Sequence, residues 1–361
     1  MKIVFIFGAG ASREAGGPLM NDFLEKADAI FHQKLVSTED LKAFEEVFKL
    51  ISDLRTVFQK SNLNLDNIES LFGIIEMGKM LEKLGDRSPE GIEGVKKSII
   101  TLIVKTLELN IKFPIFDKAI LPPEPYGEFV EGLVRINKEA QLNNRPEPQY
   151  SFITFNYDVA LDYALLRHSL AFKYCLDKDE EAHIPLLKLH GSINWGICQD
   201  CSKITPILID KHYNLPITTA SQLSFSLFPI WSDNRNVKCY SCRKNLDDYP
   251  FVVPPTWNKT DYHQLIIPVW KRAAEELAEA DKIIVVGYSL PETDAFFKYL
   301  FALGTDSPTR IKRFMVIDPS SKALENFQNL IGRGIENKFI QKQLPFKAAT
   351  GNIASEVRKQ S

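Results

Sequence analysis

Long apolar runs, internal repeats and low-complexity tracts are all missing from this chain of 361 residues. No segment has the length and hydrophobicity of a membrane span, and the IVFIF that follows Met1 and Lys2 is too short for the apolar core of a signal peptide. The sequence therefore reads as a cytoplasmic protein with no membrane partner. A charge surplus is missing as well: 44 Lys and Arg stand against 46 Asp and Glu, a formal net charge of −2. That balance lacks the basic footprint of a dedicated nucleic-acid binder, and no direct nucleic-acid binding is expected. Cysteine is scarce, at five residues, and an odd count in a long chain without an export signal argues against a disulfide framework and for metal ligation. The remainder is ordinary for a folded soluble protein, with 45% hydrophobic and 25% charged residues.

Short β-branched and aromatic runs are present, and they end in small or polar residues. They are KIVFIFGAGAS from Lys2, SFITFNYD from Ser151, LLKLHGS from Leu186, KIIVVGYS from Lys282 and RFMVIDP from Arg313. Most are followed by a helical pattern, the first from about Pro18. Strands of this kind alternating with helices predict an α/β fold with a Rossmann-like parallel sheet and a ligand site at the strands' carboxyl edge. From Leu41 onward the apolar residues Leu41, Phe44, Phe48, Ile51, Leu54 and Phe58 fall at spacings of three and four, the period of a helix. Pro114, Pro122, Pro123 and Pro125 interrupt this stretch before a last helix around Phe129 to Ile136. The expected organisation is a discontinuous Rossmann-like domain (1–40, 145–196 and 250–361), a helical insertion (41–144) packed on the sheet and suited to subunit contacts, and a small four-cysteine zinc module (197–249).

The turn after the first strand carries Gly8 and Gly10, but the third glycine of a G-x-G-x-x-G fingerprint would fall on Arg13. Alone, it fits a strand-to-helix turn without a ligand as well as a binding loop. Its place after the first strand favours an anion site made of backbone amides, one that a pyrophosphate fits. Cys198-x-x-Cys201 and Cys239-x-x-Cys242 present two pairs of thiolates, enough for a closed tetrahedral zinc site; unliganded thiols or a redox pair are the alternatives. Cys175 reads as a buried thiol. Asn156 and His190 end two of the strands, where an Asn often caps a helix and a His often serves structure. Their convergence with the glycine turn on one sheet edge favours function. Trp195 fits core packing better than ligand stacking.

In order, GAGAS, TFNYD, LHGS, the four cysteines, VVGYS and VID resemble the landmarks of the sirtuins over residues 3 to about 320, the helical insertion excepted. The resemblance implies an NAD site on a Rossmann-like sheet and a structural zinc. Two departures separate the chain from sirtuin deacylases. GGPLMNDFLEKAD replaces a GIPDFR-like segment and its arginine, and FVVPPTWNK replaces the strand that pairs with an acylated peptide, its two prolines lacking the amides such pairing needs. DNIESLF, LHGSINW and VVGYSLPETD look instead like the bacterial sirtuin-like NAD hydrolases of antiphage defence. On that resemblance Gly8, Ala9, Gly10 and Ser12 would hold the pyrophosphate, and Asn156 would position the nicotinamide ribose and the attacking water. Asp158 would contact the carboxamide, His190 would act as general base or ribose partner, Gly287 and Ser289 would line the phosphate or adenosine ribose, and Asp318 would bind ribose hydroxyls. The same likeness implies a homo-oligomer and a HerA-type ATPase partner. A sirtuin-type deacylase or ADP-ribosyltransferase, and a silent nucleotide-sensing module, are the alternatives.

Overall fold

The computed structural model describes residues 1–57, 63–116, 119–177, 183–207, 209, 225–226, 237–253, 260–291 and 294–359. Along the chain β1 (Lys2–Phe7) is followed by the one-turn helix α1 (Ala9–Ser12), by α2 (Phe23–Gln33), α3 (Thr38–Val57), α4 (Ile68–Met80) and α5 (Pro89–Asn110), and by the short strands β2 (Phe113–Phe116) and β3 (Ala119–Ile120). Next come α6 (Glu124–Leu142), β4 (Gln149–Thr154), α7 (Ala160–Arg167), β5 (Phe172–Lys173), β6 (Ile184–Lys188), β7 (Gly191–Cys198), β8 (Lys203–Pro206), β9 (Phe225–Ser226) and β10 (Pro250–Val252). The chain closes with α8 (Thr260–Ala278), β11 (Lys282–Val286), α9 (Ala295–Gly304), β12 (Arg313–Ile317), α10 (Ser321–Leu330), β13 (Phe339–Lys342) and α11 (Phe346–Arg358).

Among the described residues the main sheet has seven strands in the order β13-β12-β11-β1-β4-β6-β5, and its pairings are parallel. The chain builds outward from β1 through β4 and β6, then crosses back to β11, β12 and β13, so the strand order reverses beside β1. That is the doubly wound topology in which ligands bind outside the carboxyl ends of the strands, at the reversal. Register makes those ends level: Phe7 pairs with Thr154 and Val286, Thr154 with Lys188, and Val286 with Ile317. The turns beginning at Gly8, Phe155, Leu189, Gly287 and Asp318 therefore leave the sheet side by side.

Period-two alternation sends the strand residues to two cores. Ile3, Phe5, Phe7, Phe152, Ile284, Val286 and Met315 pack with α6, α7 and α11. Val4, Ile6, Ile153, Leu187, Ile283, Val285 and Phe314 face the other way, against α8, α9 and α10. Both faces being covered explains why these strands read as nearly continuous apolar runs. A third core joins α2, α3, α4 and α5 through residues such as Phe44, Leu50, Phe72 and Ile99.

Two local readings change. The helix expected from about Pro18 divides: α1 follows Gly8 directly, Gly16 in the left-handed region (φ 95) ends that turn, and α2 starts only at Phe23, after Asp22 accepts from the Leu19 amide at 2.6 Å. A Cβ at Gly16 would lie 2.2 Å from the Asn110 carbonyl, so only glycine makes this reversal. The last helix of the 41–144 segment, α6, packs directly on one face of the main sheet, where Phe129 meets Phe5 edge to face at 5.0 Å. Phe58 and the prolines 254 and 255 lie outside the described residues.

Candidate functional site

The level strand ends enclose a cavity of about 390 Å³. Of the sheet-edge residues singled out in the sequence, Ala9, Gly10, Ser12, Asn156, Asp158, His190, Gly287, Ser289 and Asp318 line it together; Gly8 is not among its lining residues. The opposite wall is apolar and comes from the helical layer: Phe23 of α2, Ile68 and Phe72 of α4, and Ile103 and Leu107 of α5. Helices α2, α4 and α5 thus line the cavity as well as packing with one another.

The glycines work differently from the expectation. The Gly8 amide donates to the Val286 carbonyl at 3.1 Å and the Gly10 amide to the Gly287 carbonyl at 2.8 Å, so neither is presented to an anion. Their lack of a side chain lets two turns touch. A Cβ on Gly10 would lie 2.8 Å from the Gly287 oxygen, and one on Gly287, itself left-handed at φ 60, would lie 2.1 Å from the Ala11 nitrogen.

Ser12 is also committed. Its Oγ donates to Asp158 Oδ2 at 2.7 Å, accepts from Asn156 Nδ2 at 3.1 Å, and is 2.8 Å from the Tyr126 hydroxyl. A serine has one proton and two lone pairs, so the Tyr126 hydroxyl is the donor in the last bond and the Ser12 hydroxyl is saturated. Burial, and then the Asp158 charge, hold Tyr126 well above the usual phenol range, which keeps that donor protonated. Asn156 Nδ2 also donates to the Gly8 carbonyl at 3.0 Å, and because a carbonyl only accepts, this contact decides which end of the amide points inward. The described side-chain bonds of Asn156 all use Nδ2.

Asp158 lines the cavity with both carboxylate oxygens in hydrogen bonds. One carboxylate oxygen takes the Ser12 hydroxyl and the other the Ala160 amide at 2.9 Å, at the start of α7. Burial raises its pKa, with Lys188, the Ala160 amide and Ser12 opposing. The Lys188 ammonium, fully buried, donates to the Asp158 carbonyl at 2.5 Å and pairs with Asp162 at 3.1 Å. Asp158 thus holds Ser12, which in turn accepts from Asn156.

His190 sits across the cavity. Its Nε2 lies 3.7 Å from Asp294 Oδ1, with both side chains buried, and Asp294 Oδ2 accepts from the Tyr288 hydroxyl at 2.7 Å. Phe155 meets the imidazole edge-on at 5.1 Å, and the Val253 amide donates to the His190 carbonyl at 2.8 Å. Asp318 Oδ1 accepts from the Ser320 amide at 2.8 Å, and burial raises this carboxyl, with that amide opposing. Ser289 lines the same end. Asp294 and Tyr126 escaped the sequence reading. Asp294 closes the VVGYSLPETD stretch, and a carboxylate just past a strand-end turn was its signal; Tyr126, on α6, carried none.

The four cysteines form a separate site. The β7–β8 hairpin brings Cys198 and Cys201 together, and a turn in which the Cys239 amide donates to the Lys244 carbonyl at 2.8 Å carries the other pair. Cys198 Sγ is 3.4 Å from Cys242 Sγ, Cys201 Sγ is 3.5 Å from Cys239 Sγ, and the four sulphurs lie within 4.8 Å of one another. Zinc–sulphur bonds of about 2.3 Å imply tetrahedral edges of about 3.8 Å, so the set fits zinc. Burial works against the Cys239 thiolate, yet the Cys242 and Ser241 amides bring the thiol down to about 6. Burial and the neighbouring thiols push Cys201 up to about 12. Trp195 is fully buried in the core beside Tyr174, and Cys175 is buried there too.

No family model matches the chain, and no curated protein matches it. Solved structures similar to it include a Sir2 homologue point mutant in complex with ADP-ribose, at 14% identity over 99% of this chain and 92% of that one, with a TM-score of 0.43. A second point mutant of a Sir2 homologue, also with ADP-ribose, shares 14% identity over the same coverage, with a TM-score of 0.44. A Sir2 complex with an inhibitor, 2′-O-acetyl-ADP-ribose and a deacetylated peptide shares 12% identity, covering 98% of this chain and 93% of that one, with a TM-score of 0.36. Among the described residues no helix is long and apolar enough to cross a membrane.

Proposed function

We propose that the chain hydrolyses NAD to nicotinamide and ADP-ribose. The observation that carries this reading is the meeting of Asn156 and the His190–Asp294 pair in one cavity at the strand-order reversal of a doubly wound sheet. Breaking the nicotinamide–ribose bond requires no strong acid, because the leaving group departs neutral from a cationic ground state. The protein has to orient the ribose, admit one water and accept its proton. In this reading Asn156, clamped through Nδ2, orients ribose and water through Oδ1, and His190, faced by Asp294, takes the proton. Asp318 meets ribose hydroxyls, and Gly287, Ser289, Ala9 and Arg13 border the phosphates. Ser12, Tyr126 and Asp158 brace Asn156 from behind. A zinc at Cys198, Cys201, Cys239 and Cys242 would hold the module's shape and take no part in the chemistry.

NAD depletion in antiphage defence, assembly into a homo-oligomer and a HerA-type ATPase partner are proposed with it, on the sequence resemblance. The test is incubation with NAD alone, followed by chromatography of nicotinamide and ADP-ribose. Product without any acylated peptide is expected, and Asn156→Ala should cost about a hundredfold or more in rate while calorimetric NAD affinity changes less. Product only when acyl-lysine peptide is present would overturn hydrolysis in favour of deacylation.

A further inference from the structure

A fully buried ammonium, that of Lys188, holds the loop that carries Asn156. Lys188 is the last residue of β6, and its Nζ donates to Asp162 Oδ1 and Oδ2 at 3.2 and 3.1 Å and to the Asp158 carbonyl at 2.5 Å. An ammonium has three donors, and these acceptors take them all. Asp162 is the anchor: it stands in the first turn of α7, and its Oδ1 also accepts from the Tyr174 hydroxyl at 2.6 Å. That hydroxyl is held in turn by the Asn194 side-chain amide, which donates to it at 3.0 Å. From Asn156 to Asp158 the backbone is tied at each residue. The Asn156 amide donates to Thr154 Oγ1 at 3.1 Å, the Tyr157 carbonyl accepts from the Ile193 amide at 3.0 Å, and the Asp158 carbonyl accepts from Lys188. A displacement of Asp158 reaches Asn156 by two routes, along the backbone and through Ser12, whose hydroxyl bonds both Asp158 Oδ2 and Asn156 Nδ2.

A buried ion pair stabilises a fold no better than apolar side chains of the same volume, and often less well. Stability is therefore a poor reason for a buried lysine here, and direction is a better one. A methionine at this position would fill the space, but it could not tie a carboxylate on a helix to a carbonyl in a loop. Resting on the NAD reading, we propose that Lys188 is a positioning residue for the hydrolysis. Anchored on Asp162, it sets the Asp158 carbonyl and so aims the Asn156 side chain at the ribose and the attacking water. Lys188 does not line the cavity, so it acts through the loop and not on the substrate. Misplacing a reacting group by about 1 Å can cost about a hundredfold in rate, which is why a support outside the cavity matters to the chemistry.

The test is whether Lys188 acts through Asn156. Lys188→Met should lower the rate of nicotinamide release at saturating NAD about tenfold or more, while calorimetric affinity for ADP-ribose, which is not turned over, changes less than about threefold. In an Asn156→Ala background the same substitution should add less than about twofold, because the group it positions is gone. Lys188→Met combined with Asp162→Leu removes both charges together, so that protein should melt near the parent and still be slow. It takes the place of Lys188→Met in the cycle where the unpaired Asp162 unfolds the single variant. Losses that add fully to those of Asn156→Ala, a full rate in either variant, or unfolding of both would overturn the positioning role and leave the NAD site standing. A parent protein that releases no nicotinamide from NAD alone would overturn the NAD reading itself, and this proposal with it.

Discussion

Nε2 of His190 faces Oδ1 of Asp294 at 3.7 Å, and the side chains are only 5% and 1% exposed. His190 lies in the turn after β6 and Asp294 just before α9, so the pair exists only because parallel strands bring their ends level. The Trp270 indole donates to the neighbouring Leu189 carbonyl at 3.2 Å, and Tyr288 holds the other carboxylate oxygen. The imidazole is held from several sides.

If Asp294 positions His190, Asp294→Asn should lower kcat/KM by roughly ten- to a hundredfold while Tyr288 keeps a partner. Combined with His190→Ala it should add little, because the two residues act as a unit. Full additivity in the double-mutant cycle would show that Asp294 acts elsewhere.

Ser12→Ala removes a hydroxyl that serves Asp158, Asn156 and Tyr126 together. A buried carboxylate losing one of its donors should cost about 1–3 kcal/mol, and freeing the Asn156 amide should lower the rate. Urea melts and initial rates measure the two effects. An unchanged denaturation midpoint would contradict the brace.

The Asp158 carboxyl carries a raised pKa in the folded state, chiefly through burial. Protonation therefore favours the fold: the group's contribution is full below its unfolded value of about 3.9 and is lost as pH rises through the higher folded value. Asp158→Asn, which does not titrate, should gain stability relative to the parent as pH climbs from about 4 toward neutrality. Urea unfolding at several pH values reads the difference, and a constant gap would refute it.

A side chain at Gly10 or Gly287 meets backbone at 2.8 Å and 2.1 Å respectively. Both Gly10→Val and Gly287→Ala should therefore lower stability by about 1–3 kcal/mol or more, since the turns must separate. Thermal melts decide.

Purified protein should contain one zinc per chain by elemental analysis. Cys239→Ser should lose the metal and aggregate or unfold early, because ligation energy is part of the module's folding energy. Soluble, folded protein without zinc would refute the site.

The sequence by itself determined five of the seven strands described in the main sheet, their order along the chain and the chemistry at their ends. A strand buried on both faces must be a short apolar run, and the residue that ends it must be polar or small. It also determined the metal ligands, because two C-x-x-C turns each present a thiol pair wherever they fold. Only the tertiary structure decided what those residues bond to. The Gly8 and Gly10 amides, the Ser12 hydroxyl and the Asp158 carboxylate all look available in the sequence, yet their partners Val286, Gly287, Asn156 and Tyr126 come from other elements. Their commitment is a matter of register and of the close approach of two turns, which no local pattern encodes. Asp294 carried only the signal of a carboxylate after a strand-end turn, for the same reason: it becomes part of a site where the packing of distant elements brings it to the same cavity.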